Sequence, residues 1–240
     1  MQRSRLVRLQ RVLAIVTVVL ILKVTVSVMA GYRDYFPPNF DAEFLRGRQS
    51  YFHGIYALAF YAHTVSGPIS LVLGLVLISE SFRKRFPKWH RSFGKAQVVL
   101  VLFLLAPSGL WMALYAQTGT VAAIGFSLLA IATATCVLFG WQTAVKRRFA
   151  EHRRWMTRCF LLLCAAVVVR LIGGLASVFA LWDSWLYPAA AWASWLVPLA
   201  AFELINPIDR RFSGTAAGRE RRCAPSSVPL PLSAIEIIAP

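Results

Sequence analysis

The sequence predicts an all-α membrane protein, a polytopic bundle of transmembrane helices, most simply six spans with both termini in the cytoplasm. Three observations carry that expectation. First, 58% of the 240 residues are apolar or aromatic and only 15% are charged, more oil than a water-soluble domain of this length hides. Second, the apolar residues run on for about 20 at a time, the length a helix needs to cross roughly 30 Å of hydrocarbon. Such continuous runs satisfy their own backbone hydrogen bonds as helices, whereas barrel strands alternate. Third, lysine and arginine gather between alternate runs, and a basic excess marks the cytoplasmic side. The formal charge of +16 therefore points to the lipid bilayer and to anionic lipids at the basic loops. It does not point to nucleic acid, because no nucleic-acid-binding domain separates its basic residues with apolar runs.

Residues 1–11 form a basic N-terminus with Arg3, Arg5, Arg8 and Arg11. The first span, 12–30, carries Lys23, whose long side chain can snorkel. A second reading of this segment stays open. The arginine-rich start, the apolar core 12–22 and the small Ala30 also fit a cleaved secretory signal, which would leave the other five spans oriented as before. The second span, 55–79, places His63, Gly67, Ser70 and Gly74 at helical spacing on one face, a stripe that admits either a neighbouring helix or a flat ligand. The third span, 96–116, follows a basic connection of Arg83, Lys84, Arg85, Lys88, Arg91 and Lys95. The fourth, 121–145, leads into Lys146, Arg147, Arg148, Arg153, Arg154 and Arg158; the fifth, 159–181, contains Arg170. The sixth, 186–205, ends near Glu203, placed to pair with a cytoplasmic arginine.

Residues 206–240 are rich in Ser, Pro, Ala and Arg without a helical period, and read as a disordered cytoplasmic tail. With Arg210, Arg211, Arg219, Arg221 and Arg222 of that tail, all but a handful of the 26 basic residues fall on one side. The opposite connections hold Arg33, Asp34, Asp41, Glu43, Arg46, Arg48 and Asp183. They also hold Trp182, Trp185, Tyr187, Trp192 and Trp195, an interfacial aromatic belt. Cys136, Cys159, Cys164 and Cys223 show neither metal-like spacing nor a disulfide framework and read as small apolar fillers.

The two basic connections resemble each other. One reads Arg85-Phe86, a short gap, then His90-Arg91; the other reads Arg148-Phe149, a short gap, then His152-Arg153. Duplication of a helical hairpin and convergence of two basic loops both account for the likeness. His90 and His152 open helices on the cytoplasmic side, with Pro87 suited to the first helical position. The positive end of the helix dipole favours the neutral imidazole. Two such rings on different spans can hold a haem iron, with Arg91, Arg153 and Arg154 to neutralise propionates. The alternative is that both rings meet water and lipid phosphate at the interface. Deeper in the membrane, Arg170 lies in the outer half of the fifth span, where a charge persists only with a partner or a task. Five whole turns separate it from His152, so an unbroken helix projects both from one face. His63, also in the outer half, can accept a hydrogen bond from the Arg170 guanidinium, which makes the two a candidate intramembrane polar site.

Three strings carry a family resemblance: Ala-His-Thr-Val-Ser-Gly-Pro at 62–68, His-Arg-Ser-Phe-Gly at 90–94, and His-Arg-Arg-Trp-Met-Thr-Arg at 152–158 with Arg170 beyond it. They resemble the predicted bacterial membrane proteins catalogued as domain of unknown function 2306, over roughly residues 51–203. The resemblance implies a polytopic protein of the bacterial inner membrane carrying these His and Arg positions, and it specifies no activity. The chain is similar, more weakly, to transmembrane di-haem cytochromes b. It departs from their paired histidines because the span 121–145 contains none.

Two classes of function follow. One is a membrane redox protein holding haem b through His90 and His152, with His63 and Arg170 shaping a quinone or second-ligand site; its activity would be at most electron transfer. The other is a non-enzymatic transporter, or a structural or lipid-interacting protein, with its polar site at His63 and Arg170. No serine or cysteine lies in a triad or elbow motif, which argues against a hydrolase, and no Cys/His spacing supports a zinc site.

Overall fold

The computed structural model describes residues 2–42, 44–116, 119–181 and 183–206, in two units, Met1–Phe202 and Glu203–Pro240. Glu43, Trp182, Cys223 and the expected tail beyond Asn206 lie outside the described residues. Helix α1 (Gln2–Ala30) passes into a single 3-10 turn, Gly31–Asp34. Helix α2 (Gly54–Ile78) is followed by the short α3 (Glu80–Arg85). The third span is composite: α4 (Pro87–Leu100), a π turn (Val101–Leu105) and α5 (Ala106–Ala113). After α6 (Thr120–Val145) the fifth span divides at Cys164 into α7 (Phe149–Leu163) and α8 (Ala165–Val178), and α9 (Leu186–Ile205) completes the set.

Six of these helical stretches are long and apolar enough to cross a membrane. Only 11% to 33% of each apolar stretch is buried inside the protein, so most of that surface has no partner but lipid. Ile15, Leu58, Phe103, Val145 and Val197 all point outward, a pattern that water would penalise at roughly 25 cal/mol per Å² of apolar surface. The third and fifth spans begin at Pro87 and Phe149, ahead of the apolar runs at 96 and 159. Each opens with an amphipathic turn whose basic side chains stay at the interface while the hydrogen-bond ladder is already running. Below, the face bearing α3 and the starts of α4 and α7 is called the basic face, and the face bearing residues 31–53 and 179–186 the aromatic face.

Spans two to five form a four-helix bundle. Helix α2 lies against α4, α5 and α7, and α6 lies against α4, α5 and α7. Among the described residues α4 and α7 share no close backbone approach and stand diagonally across the bundle. The core is Val101, Leu105, Cys136, Val137, Cys159, Leu162, Ala165 and Trp195; two of the cysteines serve in it as the small apolar fillers the sequence suggested. Helix α1 sits outside, on α2 and α8, through Ile21, Val24, Leu71, Val167 and Leu171. Tryptophans join α9 to α6. Trp192 lies over Gly125 and donates from Nε1 to the Val121 carbonyl at 3.0 Å. Trp195, expected in the interfacial belt, is instead a buried member of the core. Trp185 keeps the interfacial role: it is exposed and donates to Asp183 at 2.7 Å. That bond and one from Ser184 hold the Asp183 carboxyl below the usual carboxylate range.

The small-residue stripe on α2 serves helix packing. Gly67 faces Leu105 of the π turn, and a Cβ on Gly74 would stand 2.9 Å from the Phe160 ring. At Gly140 of α6 a Cβ would come within 2.5 Å of Met156 Sδ, so the closest approach of α6 and α7 depends on its absence.

Proline accounts for the irregularity of the third span. Pro107 has no N–H to offer the Phe103 carbonyl and its ring crowds that position, and the ladder widens into the π turn immediately before it. Pro68 does the same inside α2 and frees the Thr64 carbonyl. Tyr32, at the end of α1, donates its hydroxyl to that carbonyl at 2.6 Å. An orphan carbonyl in hydrocarbon is thereby satisfied by a side chain from another span.

On the aromatic face, residues 35–42 and 44–53 fold into an aromatic cap over α2, with Leu45, Tyr56 and Phe60 at its centre. Arg48 is the hub. It is 8% exposed, lies 4.5 Å over the Phe44 ring, and donates to the Phe44 carbonyl, the Tyr51 and Tyr56 hydroxyls and the Tyr115 carbonyl at 2.7, 3.2, 2.9 and 3.2 Å.

Gly140→Leu is expected to lower thermal stability in detergent by about 1–3 kcal/mol through overpacking, whereas Gly94→Ala, where a Cβ meets nothing within 4 Å, leaves the melting temperature unchanged. Arg48→Ala strands two tyrosine hydroxyls and two carbonyls, at about 1–3 kcal/mol; amide exchange over residues 44–56 should quicken while the exchange of α6 stays as it is.

Candidate functional site

The basic half of the bundle contains the first polar centre. His90 and His152 occupy the same position in their helices: each backbone N–H bonds at 2.9 Å to the residue just before its helix, Phe86 and Arg148 respectively. The two rings lie within electrostatic range of each other, although their helices are diagonal. His152 is held by backbone, its Nδ1 2.8 Å from the Gly140 carbonyl. A carbonyl only accepts, so Nδ1 carries the proton and Nε2 presents its lone pair. His90 Nδ1 is buried without a hydrogen-bond partner. One turn further along α4, Gly94 faces open space. Residues 90, 94 and 97 share a face of α4, and Gln97 on that face is buried in the bundle. The space at Gly94 therefore adjoins His90 on the inward side of the helix. Arg83 stands within electrostatic range of His90, and Arg91 and Arg153 follow the two histidines in sequence.

The second centre lies in the aromatic half. His63 packs against α5, where a Cβ on Gly109 would be 3.1 Å from its Cε1, and its Nδ1 is 3.4 Å from Ser108 Oγ. Ser108 itself donates back to the Leu104 carbonyl at 2.5 Å. Arg170 lies within electrostatic range of His63, of Tyr32 and of Tyr187. The structure thus places His63 and Arg170 in one region without the hydrogen bond expected between them: Nη1 of Arg170 donates to the Ala166 carbonyl at 2.9 Å. The fifth span is irregular at Cys164, where α7 gives way to α8 and one carbonyl accepts from the Val167 N–H at 2.9 Å and from the Val168 N–H at 3.0 Å.

Between the two centres runs a polar clasp that the sequence reading did not single out. Gln97, 1% exposed, donates from Nε2 to Ser70 Oγ at 2.8 Å and to the Ser70 carbonyl at 3.1 Å, tying α4 to α2 just before the π turn. Its Oε1 and the Oγ of the equally buried Ser66 have no partner. The sequence did hold one signal for this region, since Pro107 in the middle of an apolar run announces a break in the ladder. Arg48 was expected only as a loop residue. Its burial follows from the four acceptors that the aromatic cap supplies. Among the described residues no group of three or more His, Cys, Asp or Glu side chains is placed to hold a metal ion.

Comparison with known proteins bears on identity at the level of family. No curated protein and no solved structure matches the chain. The profile of a family described as predicted membrane protein (DUF2306) matches residues 60–206, more than half of the chain, and takes in His63, His90, His152 and Arg170. The chain belongs to this family of predicted membrane proteins.

Proposed function

We propose that this multi-pass membrane protein is a redox protein that holds a haem iron between His90 and His152. The observation that supports it is the pair itself: two imidazoles at equivalent positions on diagonal helices, within electrostatic range of each other, one with its Nδ1 proton bound by a backbone carbonyl. A carbonyl bond of this kind fixes the tautomer and raises the basicity of the ligating nitrogen. Diagonal helices of a four-helix bundle project side chains toward a common interior, where cofactor sites are built. Gly94 leaves room beside His90 for a flat group, and Arg83, Arg91 and Arg153 supply cations for carboxylate substituents. The haem would supply one-electron chemistry; the protein's part is to hold two neutral nitrogens in place and to exclude water from the bundle.

Protein purified from haem-replete cells should show a Soret band. His90→Ala and His152→Ala should each weaken binding about tenfold or more, since even a supporting partner is worth that much. Gly94→Leu should abolish the band with the fold retained, because the side chain enters free space. A colourless wild-type preparation would end this reading.

The basic face is, in the same proposal, the cytoplasmic face of the bacterial inner membrane, where Lys84, Lys88, Arg147 and Arg148 meet anionic lipid. Reporter fusions at Lys84 and at Arg148 should both report cytoplasm. Opposite reports from the two would refute the arrangement.

A further inference from the structure

Arg170 stands about 12 Å of helix short of Val178, the end of α8. Its guanidinium turns away from that end: the bond to the Ala166 carbonyl, one turn back, directs it toward the middle of the membrane. An arginine relieving its own burial by snorkelling would reach the other way. The side chain is exposed at the protein surface, and among the described residues no carboxylate forms an ion pair with it. A cation left thus in hydrocarbon is expensive unless something neutralises it.

Its surroundings are polar but, among the described residues, supply no ion-paired carboxylate. The Tyr32 hydroxyl is committed to the Thr64 carbonyl, and His63 leans on Ser108. Tyr187 lies within electrostatic range of both Arg170 and Arg48, so two guanidiniums act on this region. The nearest part of the chain in sequence that carries an acid, Asp183, has its carboxylate engaged by Ser184 and the Trp185 indole. On this flank α1 packs on α2 and α8 through Ile21 and Val24, and Arg170 stays exposed beside that packing. A molecule diffusing in the bilayer can reach Arg170 from the side.

We propose that Arg170, exposed on α8 and turned toward the middle of the membrane, binds the anionic head group of a membrane-resident amphiphile that enters laterally between α1 and α8. The guanidinium offers a planar fork suited to phosphate or carboxylate oxygens, and the head group supplies the charge that the protein withholds. The site does not depend on the histidine pair, and its test needs no absorption spectrum.

Wild-type protein in dodecyl maltoside would be titrated with phosphatidylglycerol, with phosphatidylcholine and with inorganic phosphate. Thermal unfolding and native mass spectrometry provide the readouts. Phosphatidylglycerol should raise the melting temperature and leave bound lipid on the protein, while the other two should do neither. Arg170→Gln should retain one phosphatidylglycerol fewer and show a smaller shift; Lys146→Gln, exposed on the basic half, should keep the lipid that Arg170→Gln loses. Equal retention and equal shift in wild type and Arg170→Gln would overturn the proposal, as would equal stabilisation by phosphatidylcholine. Equal stabilisation by inorganic phosphate would overturn the amphiphile in favour of a free anion. Should Arg170→Gln fail to fold, oleate and oleyl alcohol differ only in head group, and equal shifts of wild type by the two would overturn it likewise.

Discussion

In hydrocarbon a backbone carbonyl that loses its helical partner has no water to turn to, and this constraint organises the molecule. Most of the chain meets it with uninterrupted helix. Where the ladder is broken, another group steps in, or the backbone regroups, and those places set the geometry of the polar residues. Pro68 frees the Thr64 carbonyl, and Tyr32 reaches across from α1 to bond it. Pro107 interrupts the third span, and the π turn absorbs the loss. At Cys164, where α7 gives way to α8, one carbonyl accepts from the N–H groups of both Val167 and Val168.

Charge is distributed under the same constraint. At the basic face, lysines and arginines are exposed and paired only loosely; Glu80 with Lys84 and Arg83, and Arg148 with Glu151, are short-range surface pairs worth little singly. At the aromatic face the cations are fewer and more committed. Arg48 is buried among aromatic rings and oxygen acceptors, with no carboxylate paired to it among the described residues; neutral acceptors can support it because a guanidinium disperses its charge over several donors. Between these faces the bundle interior is mostly apolar, with small hydroxyl side chains such as Ser66, Thr133 and Ser194 buried in it, and the clasp of Gln97 on Ser70 ties α4 to α2 across it.

Much of the fold was legible in the sequence because hydropathy is an average over about 20 residues and tolerates local error. The six spans, their helical nature and the grouping of basic residues follow from composition along the chain. Helix starts were less legible: the openings at Pro87 and Phe149 are amphipathic, and a hydropathy window sees only the apolar part that follows. The equivalence of His90 and His152 was visible as a repeated string, and the structure gives it a geometric basis. The irregularity at Cys164 was not legible, because no proline stands beside it to give a local warning. The burial of Arg48 and of Trp195 depends on which neighbours the fold assembles, and single-chain periodicity carries no information about that.

The π turn has a mechanical meaning beyond hydrogen bonding. One residue of extra winding rotates everything after it by about 100° relative to a regular helix, and what comes after it in this span is Ser108 and Gly109, the two residues that meet His63. A straightened third span would swing that surface off the imidazole and bring other side chains against it. The bulge therefore works as an angular adjuster, letting both halves of one rod address α2: Ser70 through Gln97 before it, and the His63 ring through Ser108 and Gly109 after it.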